Sequence, residues 1–221
     1  MDRPQPVSVE LERDLHNLRQ LNHYFGSYAV ILQFIRRWIR APDRMRIVDL
    51  ATGSGDIPRL IVDHARKVGA SVQIEALDQQ GATIEIARKL SVDYPEISFV
   101  QANILEWNPA ERYDIVLNSL ALHHFSEEDA VRLLQRCREL SRKFVLVSDL
   151  RRGFLATVGI YLLTALIFRE PMTQFDARLS AARAFSFSEL HDLAQRAGWK
   201  NFGHRRFRFA RQAIWLDAGC R

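Results

Sequence analysis

A glycine-containing turn between a predicted strand and a predicted helix carries the clearest chemical signal of the sequence. Residues 47–58 begin with β-branched apolar side chains, include the acid Asp49, and pass through Gly53 and Gly55 into a helical pattern. A buried parallel strand that ends at such a turn presents backbone N–H groups at the carboxyl edge of its sheet, where no bulky side chain blocks a ligand. The turn therefore predicts a site for a nucleotide-like cofactor.

The same turn argues against a dinucleotide site of the kind found in NAD-linked oxidoreductases. That fingerprint needs a third glycine three positions after the second, for close packing of the helix on the strand. Pro58 occupies this position. Proline is well accommodated in the first turn of a helix, because its missing N–H would be unpaired there, but it does not serve that packing role. A turn with a purely structural role stays open as an alternative.

Polar side chains also follow the next two predicted strands. Asp78 ends the second strand, and its carboxylate can accept both hydroxyl protons of a ribose. Asn103 follows the third strand, and its amide can recognise the edge of an adenine ring. The alternatives are a helix cap at Asp78 and an ordinary turn residue at Asn103.

The order of these features resembles class I S-adenosylmethionine-dependent methyltransferases. The pattern Asp-x-Ala-Thr-Gly-Ser-Gly, which begins at Asp49, is similar to the glycine motif of that family, and the resemblance covers residues 45–150. It implies S-adenosylmethionine as the cofactor and an α/β fold of Rossmann-like, doubly wound type. The cofactor-binding residues that it implies lie in the turn and at the strand ends: Asp49, Ala51, Thr52, Gly53, Ser54, Gly55, Asp78, Gln79, Ala102, Asn103, Ile104 and Asn118.

Methyl transfer asks the protein mainly to align the reacting groups, exclude water and deprotonate the nucleophile. Histidine is the usual base for a hydroxyl acceptor, because its pKa lies near neutrality. His123 and His124 follow the fourth predicted strand and Asp149 ends the fifth, so these three residues are the candidate catalytic groups. The alternatives are a buried hydrogen-bonding role for either histidine, and a salt bridge from Asp149 to Arg151 or Arg152.

The acceptor site should come from the N-terminal helices and from residues 151–185. Within the latter, residues 154–168 carry no charge. A bilayer span needs about 20 apolar residues, so this segment predicts a buried or pocket-lining helix, with membrane-surface contact as the alternative. Its apolar surface suits a flat aromatic or lipid-like molecule better than a sugar phosphate or an acid. A few polar groups would complete the site: Arg19, His23, Tyr24 and Tyr161.

These features predict methylation of a small hydrophobic, phenolic acceptor, with transfer to oxygen favoured. A C-methyltransferase acting on a quinol-type ring and a non-catalytic cofactor-binding module are the alternatives. The sequence is also similar to small bacterial methyltransferases that act on polyketide or quinone-type aromatics.

Composition sets wider limits. The chain has 221 residues, a formal charge of +5 and two cysteines, which predicts one domain, a cytoplasmic location and no structural metal. The basic residues are scattered, which favours a solvated surface over a nucleic-acid partner. We expect a monomer or homodimer without a membrane span.

The elements that must position these residues alternate between strand and helix. This alternation predicts a parallel sheet covered on both faces, closed by a C-terminal antiparallel hairpin, with an N-terminal helical lid at 1–44 and a helical insert at 151–185. Seven strands are expected, the second to fifth at 72–78, 97–101, 113–118 and 143–148, and the last two near 200–204 and 206–216. Helices are expected within 7–40, with a break near Gly26, and at 58–68, 82–91, 127–140 and 188–197.

Overall fold

The computed structural model describes residues 7–153 and 171–217. The apolar segment 154–168 and Tyr161 therefore lie outside the described residues. Within the described ranges, every helix is too short or too polar to cross a membrane.

Seven strands form one sheet in the order β3-β2-β1-β4-β5-β7-β6. The first five strands are parallel, while β7 is antiparallel to both β5 and β6. The predicted doubly wound sheet with its terminal hairpin is thus confirmed. The strands are β1 (Arg44–Leu50), β2 (Ser71–Asp78), β3 (Ile97–Gln101), β4 (Tyr113–Ser119), β5 (Ser141–Leu150), β6 (Gly203–Phe207) and β7 (Arg211–Asp217).

Helices cover both faces of this sheet because neighbouring strand residues point to opposite sides. Val48 and Val116 belong to an apolar cluster on one face, and Ile47 and Ile115 belong to a second cluster on the other. The helices are α1 (Val9–Tyr24), α2 (Ser27–Trp38), α3 (Asp56–Val68), α4 (Gly81–Leu90), α5 (Glu127–Leu140), α6 (Pro171–Arg183) and α7 (Phe187–Arg196).

The two N-terminal helices have different environments. Gly26 separates them with a φ of +85°, which confirms the predicted break. Apolar residues of α2, such as Ile31 and Ile35, are fully buried in the same cluster as α3. Leu11 and Leu15 of α1 pack instead against Ile86 of α4, close to the carboxyl edge of the sheet. A lid role therefore remains a prediction for α1, while α2 is part of the core.

The predicted bounds of the last two strands are wrong by several residues. The alternating aromatic and basic residues of 205–209 read as one continuous strand. In the structure this run is divided, because Phe209 and Ala210 adopt left-handed backbone conformations with φ of +54° and +51° and turn the chain. Arg211 therefore begins β7 and pairs with Leu150 at the end of β5.

The direction of winding reverses between β1 and β4. β1 pairs with β2 on one side and with β4 on the other, and both neighbours are parallel to it. In open α/β sheets, ligands bind in the crevice at the carboxyl ends of the strands beside such a reversal. The fold therefore places the glycine turn and the residues after β4 at the two sides of one crevice.

Candidate active site

A cavity of about 660 Å³ occupies this crevice. Its volume falls within the range of about 300–1,000 Å³ that small-molecule sites occupy. Its walls come from α1, the glycine turn, the ends of β2, β4 and β5, α6, and the turn between β6 and β7.

The two glycines of the turn are required for different reasons. Both adopt left-handed backbone conformations, with φ of +57° at Gly53 and +73° at Gly55. A methyl group added to Gly53 would meet no heavy atom within 4 Å, because this residue faces open space on the cavity wall. A methyl group on Gly55 would lie 3.0 Å from the ring of Phe99. Gly53 keeps the cavity open, and Gly55 allows close packing beneath it.

Asp78 joins the glycine turn to the end of β2. Its Oδ2 accepts a 3.0 Å hydrogen bond from the N–H of Gly53, and its Oδ1 accepts one of 3.0 Å from the N–H of Gln80. Burial raises the pKa of Asp78, while these N–H donors act in the opposite direction. Asp78 also lines the cavity. Each carboxylate oxygen has a second lone pair, so both can still accept a ligand hydroxyl.

Asp49 is a buried carboxyl group beside the same turn. Its Oδ2 accepts a 2.7 Å hydrogen bond from the Thr52 hydroxyl, while its Oδ1 has no partner among residues 7–153 and 171–217. Burial raises the pKa of Asp49 to about 7, and the nearby negative charges of Asp56 and Asp78 add to this effect. All three acids line the cavity. This end of the cavity would therefore favour a positively charged ligand.

A histidine and an aspartate form a dyad on the opposite side of the crevice. His123 lies in a single 3-10 turn, Leu122–His124, and is only 3% exposed. Oδ1 of Asp149 lies 2.6 Å from its Nδ1, and Oδ2 of Asp149 accepts a 2.9 Å hydrogen bond from its backbone N–H. Nδ1 must carry the proton in this pair, because a carboxylate only accepts. Nε2 then carries a lone pair, and it has no partner in the described part of the chain.

Comparisons with known proteins find similarity to methyltransferases. Residues 47–143 match a family described as a methyltransferase domain. A curated 2-phytyl-1,4-naphtoquinone methyltransferase from Thermosynechococcus vestitus is 36% identical over 81 residues, which cover 37% of this chain and 35% of that protein. Residues 47–143 are therefore similar to a methyltransferase domain.

Solved structures of methyltransferases share the fold of this chain. Human N-acetylserotonin methyltransferase, crystallised with S-adenosylmethionine, matches with a TM-score of 0.66 at 16% identity, over 95% of this chain and 56% of that one. An S-adenosylmethionine-dependent methyltransferase from Aquifex aeolicus matches with a TM-score of 0.66 at 12% identity, over 92% of this chain and 96% of that one. The chain thus spans about a third of the curated relative, 35%, and about half of the human protein.

The fold brings most predicted cofactor residues to the cavity, but not all. Those on its wall are Asp49, Ala51, Thr52, Gly53, Ser54, Asp78, Gln79 and Ile104. Gly55 lies beneath the wall, and buried Asn118 joins β4 to β1 through a 2.9 Å hydrogen bond to the Leu50 carbonyl. Ala102 and Asn103 are not on the wall, and the side chain of Asn103 is exposed and accepts a 3.1 Å hydrogen bond from the N–H of Leu105.

The predicted catalytic and substrate residues also divide into two groups. His123, His124 and Arg19 line the cavity, and the exposed ring of His124 lies 4.3 Å from that of His123. His23 and Tyr24 are exposed outside the cavity, with their rings 4.8 Å apart. Asp149 pairs with His123 and not with Arg152, which pairs with Glu189.

Among the cavity residues that were not predicted from the sequence, three bear directly on the site. Asp56 begins α3 and accepts hydrogen bonds from Asn22 and from the Tyr28 hydroxyl, at 3.3 and 3.0 Å, which ties α1 and α2 to the glycine turn. Its position directly after Gly55 could have indicated this role. Leu120 adopts a φ of +55°, and Arg211 is a buried cation on the wall. No local sequence signal marks either of these two residues.

Proposed function

We propose that this protein is an enzyme that transfers a methyl group from S-adenosylmethionine to a hydroxyl group on a small, largely hydrophobic aromatic acceptor. One observation carries the proposal: a side-chain-poor turn with acidic groups lines one side of a cavity, and His123, which is paired with buried Asp149, lines the other. The first can hold the methyl donor, and the second can receive a proton from the acceptor.

The residues at the glycine turn fit the donor. Asp78 would accept the ribose hydroxyls, Gly53 leaves room for the adenosyl group, and Ile104 offers an apolar surface to the adenine ring. The unpartnered Oδ1 of Asp49 lies where a positive charge would be stabilised. When bound, the cofactor supplies a methyl group on a positively charged sulfur.

The dyad fits a hydroxyl acceptor. Nε2 of His123 would accept the hydroxyl proton as the oxygen becomes nucleophilic, and Asp149 would stabilise the imidazolium that results. Apolar side chains such as Leu18, Phe25 and Phe209 line the same cavity and would exclude water from the reacting groups. Orientation and exclusion of water, together with this proton transfer, are what the chain itself would contribute.

Transfer to carbon is the second candidate. Its support is the curated relative, whose name assigns it a naphthoquinone ring as substrate. In this reaction His123 would remove a proton from a ring hydroxyl and so increase the electron density on the neighbouring ring carbon. The position of the new methyl group in an isolated product, determined by NMR, separates the two candidates.

The proposed function is tested by incubating the purified protein with methyl-deuterated S-adenosylmethionine and a panel of phenols and quinols. We expect mass-labelled product from the wild type. His123→Gln should reduce kcat by about 10²- to 10⁴-fold, the usual contribution of a general base, and should retain cofactor affinity. Arg36→Met, on the exposed face of α2, is the control. Cofactor binding without label transfer to any acceptor would favour the non-catalytic module instead.

A further inference from the structure

The buried cation Arg211 has unused hydrogen-bonding capacity. Its side chain is 5% exposed and lines the cavity. Nε donates a 3.1 Å hydrogen bond to the carbonyl of Phe25, at the end of α1. Within residues 7–153 and 171–217, the two terminal nitrogens have no hydrogen-bond partner and form no ion pair. The four N–H donors of the terminal nitrogens are thus available to a ligand in the cavity.

The fold places this guanidinium beside the His–Asp dyad. β7 is antiparallel to β5, so its first residue lies at the same edge as the last residues of β5, and Arg211 pairs with Leu150. Asp149 precedes Leu150 and holds His123. The negative charge of Asp149 is near enough to affect Arg211, but its oxygens are already bonded to His123 and to the N–H of Leu150. Asp149 therefore leaves the terminal N–H donors of Arg211 available.

Charge is distributed unevenly along the cavity. Asp49, Asp56 and Asp78 outnumber Arg19 at the β1 and β2 end, where a cationic donor fits. Arg151 and Arg211 lie at the β5 and β7 end, and Nε of Arg151 is also buried without a partner among the described residues. A planar guanidinium with two free terminal groups matches a carboxylate, which it can bind through two parallel hydrogen bonds.

We propose that the acceptor carries a carboxylate, which Arg211 binds while the acceptor hydroxyl faces His123. This inference rests on the proposed function and narrows its substrate class to hydroxylated aromatic carboxylates. It also modifies the expectation from the sequence, which favoured a neutral aromatic over an acid. The apolar wall would hold the ring, and Arg211 would fix its orientation.

A matched pair of ligands tests the proposal. 3-Hydroxy-2-naphthoate and its primary amide have the same shape and differ in charge. Each is titrated calorimetrically into the protein saturated with S-adenosylhomocysteine. We expect the acid to bind about tenfold or more tightly than the amide, the ratio that a charge-assisted pair supports. Equal affinities, or no binding of the acid, would overturn the proposal.

Substitutions assign the effect to the arginine. Arg211→Met should bring the ratio of the affinities for the acid and the amide close to one. Affinity for the amide should stay unchanged within about twofold, because only the acid forms an ion pair with the guanidinium. Arg211→Gln, which keeps an N–H donor for the Phe25 carbonyl, makes the same test if the first variant does not fold. Arg36→Met should retain the wild-type ratio. The proposal would be contradicted if a folded Arg211 variant kept the acid-to-amide affinity ratio of the wild type. It would also be contradicted if the variant lost as much affinity for S-adenosylhomocysteine as for the acid.

The two proposals fail in different ways. Methylation of neutral phenols without discrimination between acid and amide would disprove the carboxylate proposal and leave the proposed function intact. Discrimination by Arg211 without methyl transfer to any acceptor would disprove the enzymatic function and leave the carboxylate site intact.

Discussion

The backbone N–H of Gly53 donates a 3.0 Å hydrogen bond to Oδ2 of Asp78, and so connects the turn after β1 to the end of β2. The N–H of Gln80 fixes the other carboxylate oxygen. Two main-chain donors therefore set the orientation of this acid before a ligand arrives. A group that is already oriented loses less conformational entropy on binding, which favours affinity.

Asp78→Ala should weaken binding of S-adenosylhomocysteine by about 1–3 kcal/mol, because a charged acceptor of two hydroxyl groups is lost. Isothermal titration measures the change. Asp93→Ala removes an exposed acid outside the cavity and is the matched control. Unchanged affinity in a folded Asp78 variant would exclude this residue from the site.

Alanine substitutions at the two glycines should separate binding from stability. Both variants place alanine in a left-handed conformation, at a cost of about 1–2 kcal/mol. Gly55→Ala should lose further stability because its methyl group lies 3.0 Å from Phe99, whereas Gly53→Ala should mainly lose cofactor affinity because its methyl group enters open space on the cavity wall. Thermal unfolding and cofactor titration measure the two effects. If Gly53→Ala instead lost more stability and Gly55→Ala lost more cofactor affinity, the turn would not face the cofactor.

The sequence predicted those parts of the site that depend on local pattern. Asp49, the glycine turn and Asp78 each lie at the end of a strand that apolar residues mark clearly, and parallel strands bring such ends to one edge. His123 was predicted for the same reason. In each case a short segment contains enough information to place the residue.

Other parts of the site depend on contacts between distant segments. Arg211 lies at the cavity only because β7 pairs in one register with β5 and because Phe25, 186 residues away, accepts its Nε–H. The side chain of Asn103 forms a hydrogen bond within its own turn, a local alternative that competes with ligand binding. Neither outcome could be predicted from residue type and spacing.

Asp49→Asn should change the pH dependence of stability. The folded pKa of Asp49 is about 7, above the value of about 3.9 for an unfolded aspartate. The folded state therefore binds the proton more tightly, and ionisation of Asp49 lowers the free energy of unfolding as pH rises from about 4 to 7. Asparagine still accepts the hydrogen bond from Thr52 but does not ionise. The free energy of unfolding of the variant, relative to that of the wild type, should therefore increase as pH rises across that window. Urea denaturation at several pH values measures the difference, and a constant difference would contradict the prediction.

The same carboxyl group should couple proton release to binding of a cation. S-Adenosylmethionine carries a sulfonium charge that favours ionised Asp49, whereas S-adenosylhomocysteine lacks that charge. Affinity for the first ligand should therefore increase more steeply between about pH 6 and 8 than affinity for the second. Asp49→Asn should make the two pH profiles parallel. Parallel profiles in the wild type would place the sulfonium away from Asp49.

Asp149→Asn tests whether the dyad acts as a base. Asparagine keeps the size of the side chain, but its amide can donate to Nδ1 of His123, which would move the proton to Nε2 and remove the lone pair that the proposed base requires. We expect kcat to decrease by about 10²- to 10⁴-fold with little change in cofactor affinity. Because buried Arg211 lies near this carboxylate, thermal unfolding must first confirm that the variant folds. A folded variant with wild-type kcat would show that His123 does not transfer the proton, and the dyad would then have only a structural role between β4 and β5.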